Sequence, residues 1–198
     1  GARAAPFALE GLEESAPLAG ASWTERGLLL VTASGEVLRC DGHAPGDGAT
    51  WRCAGAQDFV KLPVPKNAEL LAVAISEHPE GATVALTYRH LPTVVGLFRA
   101  DAGAWHPAGE LHAPRSAESG LHLAFGGGEL LVTVGSGEVL RRRLSAGGLG
   151  ESVPGLAAAQ GSGHEFRAAC ATPEGELLRL ALRRSQGDNA WRPELLAA

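Results

Sequence analysis

Three side chains suited to metal chemistry stand in one Gly-rich stretch: Cys40, His43 and Cys53, spaced C-x2-H-x9-C. Thiolate and imidazole bind zinc, but a structural zinc site takes four ligands and a supporting shell, and the natural fourth is lacking. Two strand cysteines and a loop histidine are the ordinary reading, so no metal is expected. Nucleophiles fare no better. Ser136 and Ser162 each lie in a Gly-Ser-Gly without the G-x-S-x-G spacing, or the following helix, that lifts a serine onto a strand-to-helix elbow. The glycines Gly126–Gly128 and Gly147-Gly148 border strand-like runs, so no helix N-terminus is there to cradle phosphate. The paired carboxylates, Glu13 with Glu14 and Glu174 with Glu176, sit in turns with no apolar pocket to raise one pKa for acid catalysis. His78, His90, His106, His112, His122 and His164 are scattered singly. Catalytic, cofactor-binding and metal-ligating residues are therefore read as none, and partner-binding residues stay unassigned.

The elements that hold these residues are short. Apolar stretches of about five to seven residues recur at Leu28–Ala33, Leu70–Ile75, Ala82–Thr87, Val94–Phe98, Leu121–Phe125, Leu130–Val134, Arg167–Ala171 and Leu177–Leu182. Most are bounded by Gly, Pro, Ser, Asp or Asn, as strands joined by tight turns are. Several are apolar at consecutive positions, which fits strands covered on both faces. With 27 Gly and 12 Pro among 198 residues, the chain reads as all-β.

The strands repeat. GLLLVTASGEVLRC (Gly27–Cys40) is echoed by ELLVTVGSGEVLRRRL (Glu129–Leu144), and the glycines ahead of each strong strand, Gly27, Gly81, Gly128 and Gly175, fall 54, 47 and 47 residues apart. That period suits propeller blades, each of which is apolar on both faces and cannot bury them until neighbours stack against it. The one-residue difference between the two copies, Gly135 before Ser136, reads as a longer turn.

Bulk composition narrows the partners. Net charge is −5, positive charge is almost all Arg with only Lys61 and Lys66, and the run Arg141–Arg143 lies in a strand, where alternate side chains face opposite ways. No nucleic-acid surface is expected. No apolar run of about 18 residues appears, so no membrane span is expected either. Three cysteines are too sparse for a disulfide-stapled mini-domain, which points to a reducing compartment, cytoplasmic or nuclear. With no Met at any position, the sequence is expected to be an excised or processed piece.

GHEFRAACATPEGELLRLAL (Gly163–Leu182) resembles a diverged WD40 unit, with Gly-His opening a strand and Thr-Pro-Glu-Gly where Ser-Pro-Asp-Gly is usual. Leu121–Leu144, Ala21–Cys40 and, with longer turns, Ala74–Trp105 follow the same plan, although no Trp-Asp dipeptide occurs. The resemblance implies an all-β propeller of about four blades of four antiparallel strands, in units 20–66, 67–117, 118–160 and 161–198. It would be a small closed ring or part of a larger one completed by another chain or segment. Residues 1–19 are a linker or closing strand, with Phe7–Leu12 expected to pair onto the last blade.

GDGATW (Gly46–Trp51) and DAGAW (Asp101–Trp105) also resemble degenerate Asp-box turns of sialidase-like propellers, where Asp and Trp are structural. The nucleophile that resemblance asks for is tyrosine, and Tyr88, beside Arg89 and His90, is the only one. A strand-end tyrosine with a packed ring is the plainer reading. The expected function is a non-catalytic protein-interaction scaffold without cofactor, its binding residues in the loops Asp41–Thr50, Tyr88–Thr93 and His112–Gly120. The alternative is a carbohydrate-binding, lectin-type propeller using Trp23, Trp51, Trp105 and Trp191, and an Asp-box hydrolase comes last.

Overall fold

The computed structural model describes residues 8–11, 17–24, 26–41, 50–57, 59–78, 81–114, 120–158, 164–171, 176–184 and 191–197. They hold sixteen strands and no helix, in four sheets. The first sheet contains β2 (Leu18–Thr24), β3 (Gly27–Thr32), β4 (Val37–Asp41) and β5 (Thr50–Gly55), with β1 (Ala8–Glu10) on its outer edge. The second is β6 (Leu70–His78), β7 (Gly81–Tyr88), β8 (Leu91–Asp101) and β9 (Ala104–His112). The third is β10 (Leu121–Gly126), β11 (Glu129–Val134), β12 (Val139–Ser145) and β13 (Gly148–Leu156). The fourth is β14 (His164–Ala171), β15 (Leu177–Arg184) and β16 (Trp191–Ala197).

Within each sheet the strands from β2 onward follow chain order and pair antiparallel, so each sheet is a meander. The leading strands pack in succession, β2 on β6, β6 on β10 and β10 on β14, and β2 also touches β10. Leading strands that converge while the sheets fan outward make this all-β fold a propeller. The stretch Phe7–Leu12 was expected on the last blade, and there the structure differs: Ala8–Glu10 pairs parallel with Thr50–Arg52 at the edge of the first blade.

Apolar residues fill the spaces between blades. Leu29, Val31, Val73, Ile75, Val84 and Leu86 cluster between the first and second blades. Val95, Leu97, Leu123, Leu130, Val132 and Val134 do so between the second and third, and Leu131, Val139, Ala169 and Leu177 between the third and fourth. All six residues of β11 are buried, as expected of a strand apolar at consecutive positions.

The doubled sequence is one hairpin used twice, though its copies align differently in space than on paper. In both, the turn closes with the same backbone bonds, Gly35 N to Thr32 O at 2.9 Å and Gly137 N to Val134 O at 2.8 Å. Thr32 therefore matches Val134, and the additional residue belongs to the strand instead of the expected longer turn. A one-residue shift exchanges faces. It places Leu29 and Leu131, which look unequal in the text, on equivalent faces toward the following blade.

The third strands carry arginines that stitch the stack. Leu29 lies opposite Arg39 and Leu131 opposite Arg141, so both guanidiniums share a face with those leucines. Arg39 pairs with Glu77 of the second blade at 2.8 Å, and Arg141 with Glu129 of its own blade at 2.7 Å. Arg143 shares the face of Arg141 and pairs with Glu151, while Arg142 lies opposite Leu130 on the other face. The basic run is thus split across two surfaces, as strand alternation requires.

Cys40 and Cys53 face each other across β4 and β5 and form a disulfide, with their Cα atoms 4.0 Å apart. Each is the other's partner, and the bond is of the kind that persists in oxidising compartments, against the reducing environment read from the cysteine count. Cys170 is free and exposed.

Candidate functional site

Three adjoining cavities of about 380, 260 and 230 Å³ share His78 and run across one end of the stack. They lie where first strands turn into second strands and third into fourth. Arg26 borders them from the first blade, Asp101 and His106 from the second, and Ser145 and Ala146 from the third. A separate cavity of about 480 Å³ between the Ser34–Val37 turn and Gly55–Lys61 involves loops of the first blade alone. The shared cleft is the better candidate because side chains from three blades converge on it.

Strand register builds its centre. Ser76 lies opposite Thr83, Thr83 opposite Arg99, and Arg99 opposite His106, a row across all four strands of the second blade. Directly opposed residues share a face. His78 and Asp101 stand two residues further along their strands, on that same face. Arg99 Nη1 donates to the carbonyl oxygens of Ser145 and Ala146, in the turn between β12 and β13. That turn approaches closely: a Cβ on Gly148 would stand 1.8 Å from Ala108 O, so only glycine fits, in its left-handed backbone at φ +125°.

Beside the cleft, the Glu77 carboxylate receives Arg39 Nη2 at 2.8 Å, Arg39 Nη1 at 3.1 Å and Thr24 Oγ1 at 2.7 Å. The Arg39 hydrogen bonds hold its pKa below the usual carboxylate range, outweighing partial burial, and Thr24 adds to the shift. Its charge is spent on joining blades. Between the third and fourth blades, desolvation lowers the pKa of His122, with Arg167 adding to the effect and Glu165 opposing it.

Ser76 Oγ lies 3.2 Å from His78 Nε2, the one contact here with the form of a nucleophile and its base. A working pair needs a third group to orient the base. Among the described residues nothing bonds the other ring nitrogen of His78, and the pair is exposed.

The residues singled out in sequence disperse. Tyr88 donates its hydroxyl to Pro63 O at 2.8 Å and stacks on His90, at the end of the blade away from the cleft. Ser136 Oγ is shut away from solvent. Trp105 donates to Val60 O at 3.3 Å and packs on Phe59, the structural role expected of the DAGAW turn. Trp51 is buried edge-on against Trp23, a residue that is 68% exposed. His43, Ser162, Glu13, Glu14, Glu174, the side chains of His164 and Trp191, and most of the loops Asp41–Thr50 and His112–Gly120 lie outside the described residues. Among the described residues no group of three or more His, Cys, Asp or Glu is arranged to hold a metal, and no helix is long and apolar enough to cross a membrane.

Composition scattered His78, Arg99, Asp101 and His106 over 29 positions, and only the pairing of β6 through β9 brings them together. The usable signal was parity within each strand, Ser76 with His78 and Arg99 with Asp101.

No family model and no curated protein matches this chain. Solved structures similar to it include a protein from Bacteroides uniformis provisionally assigned as a 6-phosphogluconolactonase, with 16% identity, a TM-score of 0.48, and coverage of 87% of this chain and 55% of that one. The β-propeller domain of Cps50 (Swd1) from Myceliophteria thermophila has 14% identity, a TM-score of 0.45, and coverage of 91% and 56%. A Bacteroides caccae protein of unknown function has 12% identity, a TM-score of 0.44, and coverage of 92% and 62%. The chain spans between 55% and 62% of the length of these three.

Proposed function

We propose that this chain is a non-catalytic binding platform whose partner is another protein, received in the cleft across the first three blades. The observation that carries this reading is the anchoring of Arg99: a guanidinium from the second blade fixed by carbonyls of the third, at the open mouth of a cleft that the first blade also lines. Rigid sheets presenting polar turn residues form a recognition surface that needs no ordering on binding. The exposed Ser76–His78 contact has no orienting group among the described residues, which favours binding over turnover.

Sugar stacking by the blade tryptophans finds less support, because Trp51 is buried and Trp105 is tied to Val60. Obstruction of the cleft tests the platform reading. Ala82→Trp puts a bulky ring at a position lining two of the cavities and is expected to abolish partner capture by the intact protein while its melting temperature stays within a few degrees. Arg89→Ala, at the opposite end, is expected to leave capture unchanged. Equal capture by both variants, or hydrolytic turnover by the purified protein that Ala82→Trp removes, would contradict the proposal.

A further inference from the structure

The cleft has a charge preference, and the geometry points to an acidic peptide segment as its occupant. This inference rests on the platform reading above and names the partner's chemistry.

Arg99 carries the argument. Its Nη1 bonds two carbonyl oxygens, which orient a guanidinium without neutralising it. Among the described residues no carboxylate pairs with it, and Nε and Nη2 have no partner. Three other arginines of the stack are answered by carboxylates: Arg39 by Glu77, Arg141 by Glu129 and Arg143 by Glu151. Arg99 thus keeps a half-buried charge and a set of donors whose fork geometry suits a carboxylate.

Its surroundings extend the preference. Thr83 and His106 flank it in its row, line the same cavity, and supply hydroxyl and imidazole groups that hydrogen-bond acid oxygens. Of the two carboxylates that line the cleft, Glu77 is already held by Arg39 and Thr24, leaving Asp101 at the exposed turn. Cavities adjoining from Arg26 on one side to Ala146 on the other form an elongated trough, shaped for an extended chain more than for one compact anion. Apolar side chains along it, Phe59, Leu97 and Leu144, would lie beside the peptide's non-acidic residues.

The test is fluorescence anisotropy of the full chain with a labelled deca-glutamate peptide at low salt, with deca-lysine, free glutamate and inorganic phosphate as further probes. Deca-glutamate is expected to bind saturably and more weakly as salt screens the contact, and deca-lysine is expected not to bind. Arg99→Ala should weaken binding about tenfold, the loss expected for a charge-assisted hydrogen bond, while Arg89→Ala leaves it unchanged. Because Arg99→Ala also removes an interblade contact, a second variant guards against simple misfolding: Asp101→Asn should tighten binding a few-fold, a gain that a damaged fold does not produce. Free glutamate and phosphate should compete only at concentrations far above the peptide's Kd. Lack of deca-glutamate binding, equal affinity in Arg99→Ala and wild type, or competition by free anions at the peptide's own concentration would each overturn the inference. If deca-glutamate fails while a protein partner is still lost in Ala82→Trp, the acidic preference falls and the platform reading stands.

Discussion

Glu77, at the end of the second blade's leading strand, is gripped by both terminal nitrogens of Arg39 from the first blade, at 2.8 and 3.1 Å. Their side chains are only 12% and 15% exposed, so this is a contact between blades and not a surface ornament.

Removing one partner takes the ion pair away from the other, largely buried charge. Glu77→Ala or Arg39→Ala is expected to destabilise the protein by about 2 kcal/mol, below the range for fully buried pairs because some solvent reaches this one. The double variant should lose less than the two single losses combined. Urea melts of all four proteins check this, and strict additivity would remove the pair from the account.

The same contact has a pH signature. Glu77 has a folded-state pKa lowered from the ordinary 4.5, so the unfolded chain takes up its proton first as pH falls. The stabilisation is fully present above about pH 4.5 and is lost as pH falls through the lower folded-state value. Glu77→Gln should flatten the stability profile in that acid range. For His122, lowered from the ordinary 6.5, the neutral ring is the one the fold prefers. Its contribution is complete above about pH 6.5 and is lost as pH falls through the folded value. His122→Asn should remove that slope, and proton chemical-shift titration of the His122 ring reports the direction independently.

The disulfide predicts a thiol count. The denatured, unreduced protein should show one reactive thiol, Cys170, and three after reduction. Replacing Cys40 and Cys53 by serine should cost about 3 kcal/mol, the loop-closure value for a bond with the observed sequence separation of 13. Three thiols before reduction would contradict it.

Gly137 and Gly103 both sit in the left-handed region, at φ +83° and +80°, but only Gly137 meets a neighbour: a Cβ there would stand 2.5 Å from the Phe166 ring of the fourth blade. Gly137→Ala should therefore cost about 2 kcal/mol more than Gly103→Ala, which carries backbone strain alone. Thermal melts of the two variants decide it.

Much of this fold was legible because burial on both faces leaves a plain mark: runs such as Leu130–Val134 are apolar at every position but one and end on glycines. Register was less legible. LLVT in the two copies invites alignment letter by letter, yet the shared turn at Gly35 and Gly137 shifts one strand by a residue, and no local signal distinguishes these alignments. The disulfide was hidden for a related reason, since Cys40 and Cys53 become neighbours only through the pairing of β4 with β5. The cleft was least legible of all. Arg99 looked like one arginine among fifteen, and what places it at the cleft is its bonding to carbonyls on the next blade, a property of packing that spacing does not encode.

Positional photo-crosslinking tests the central claim most directly. A benzophenone side chain at His106, in the cleft, should trap a partner in a yield that Ala82→Trp abolishes, while the same probe at His90, at the far end of that blade, traps none. Equal trapping from both positions, or trapping from His90 alone, would contradict the assignment of the cleft as the binding surface.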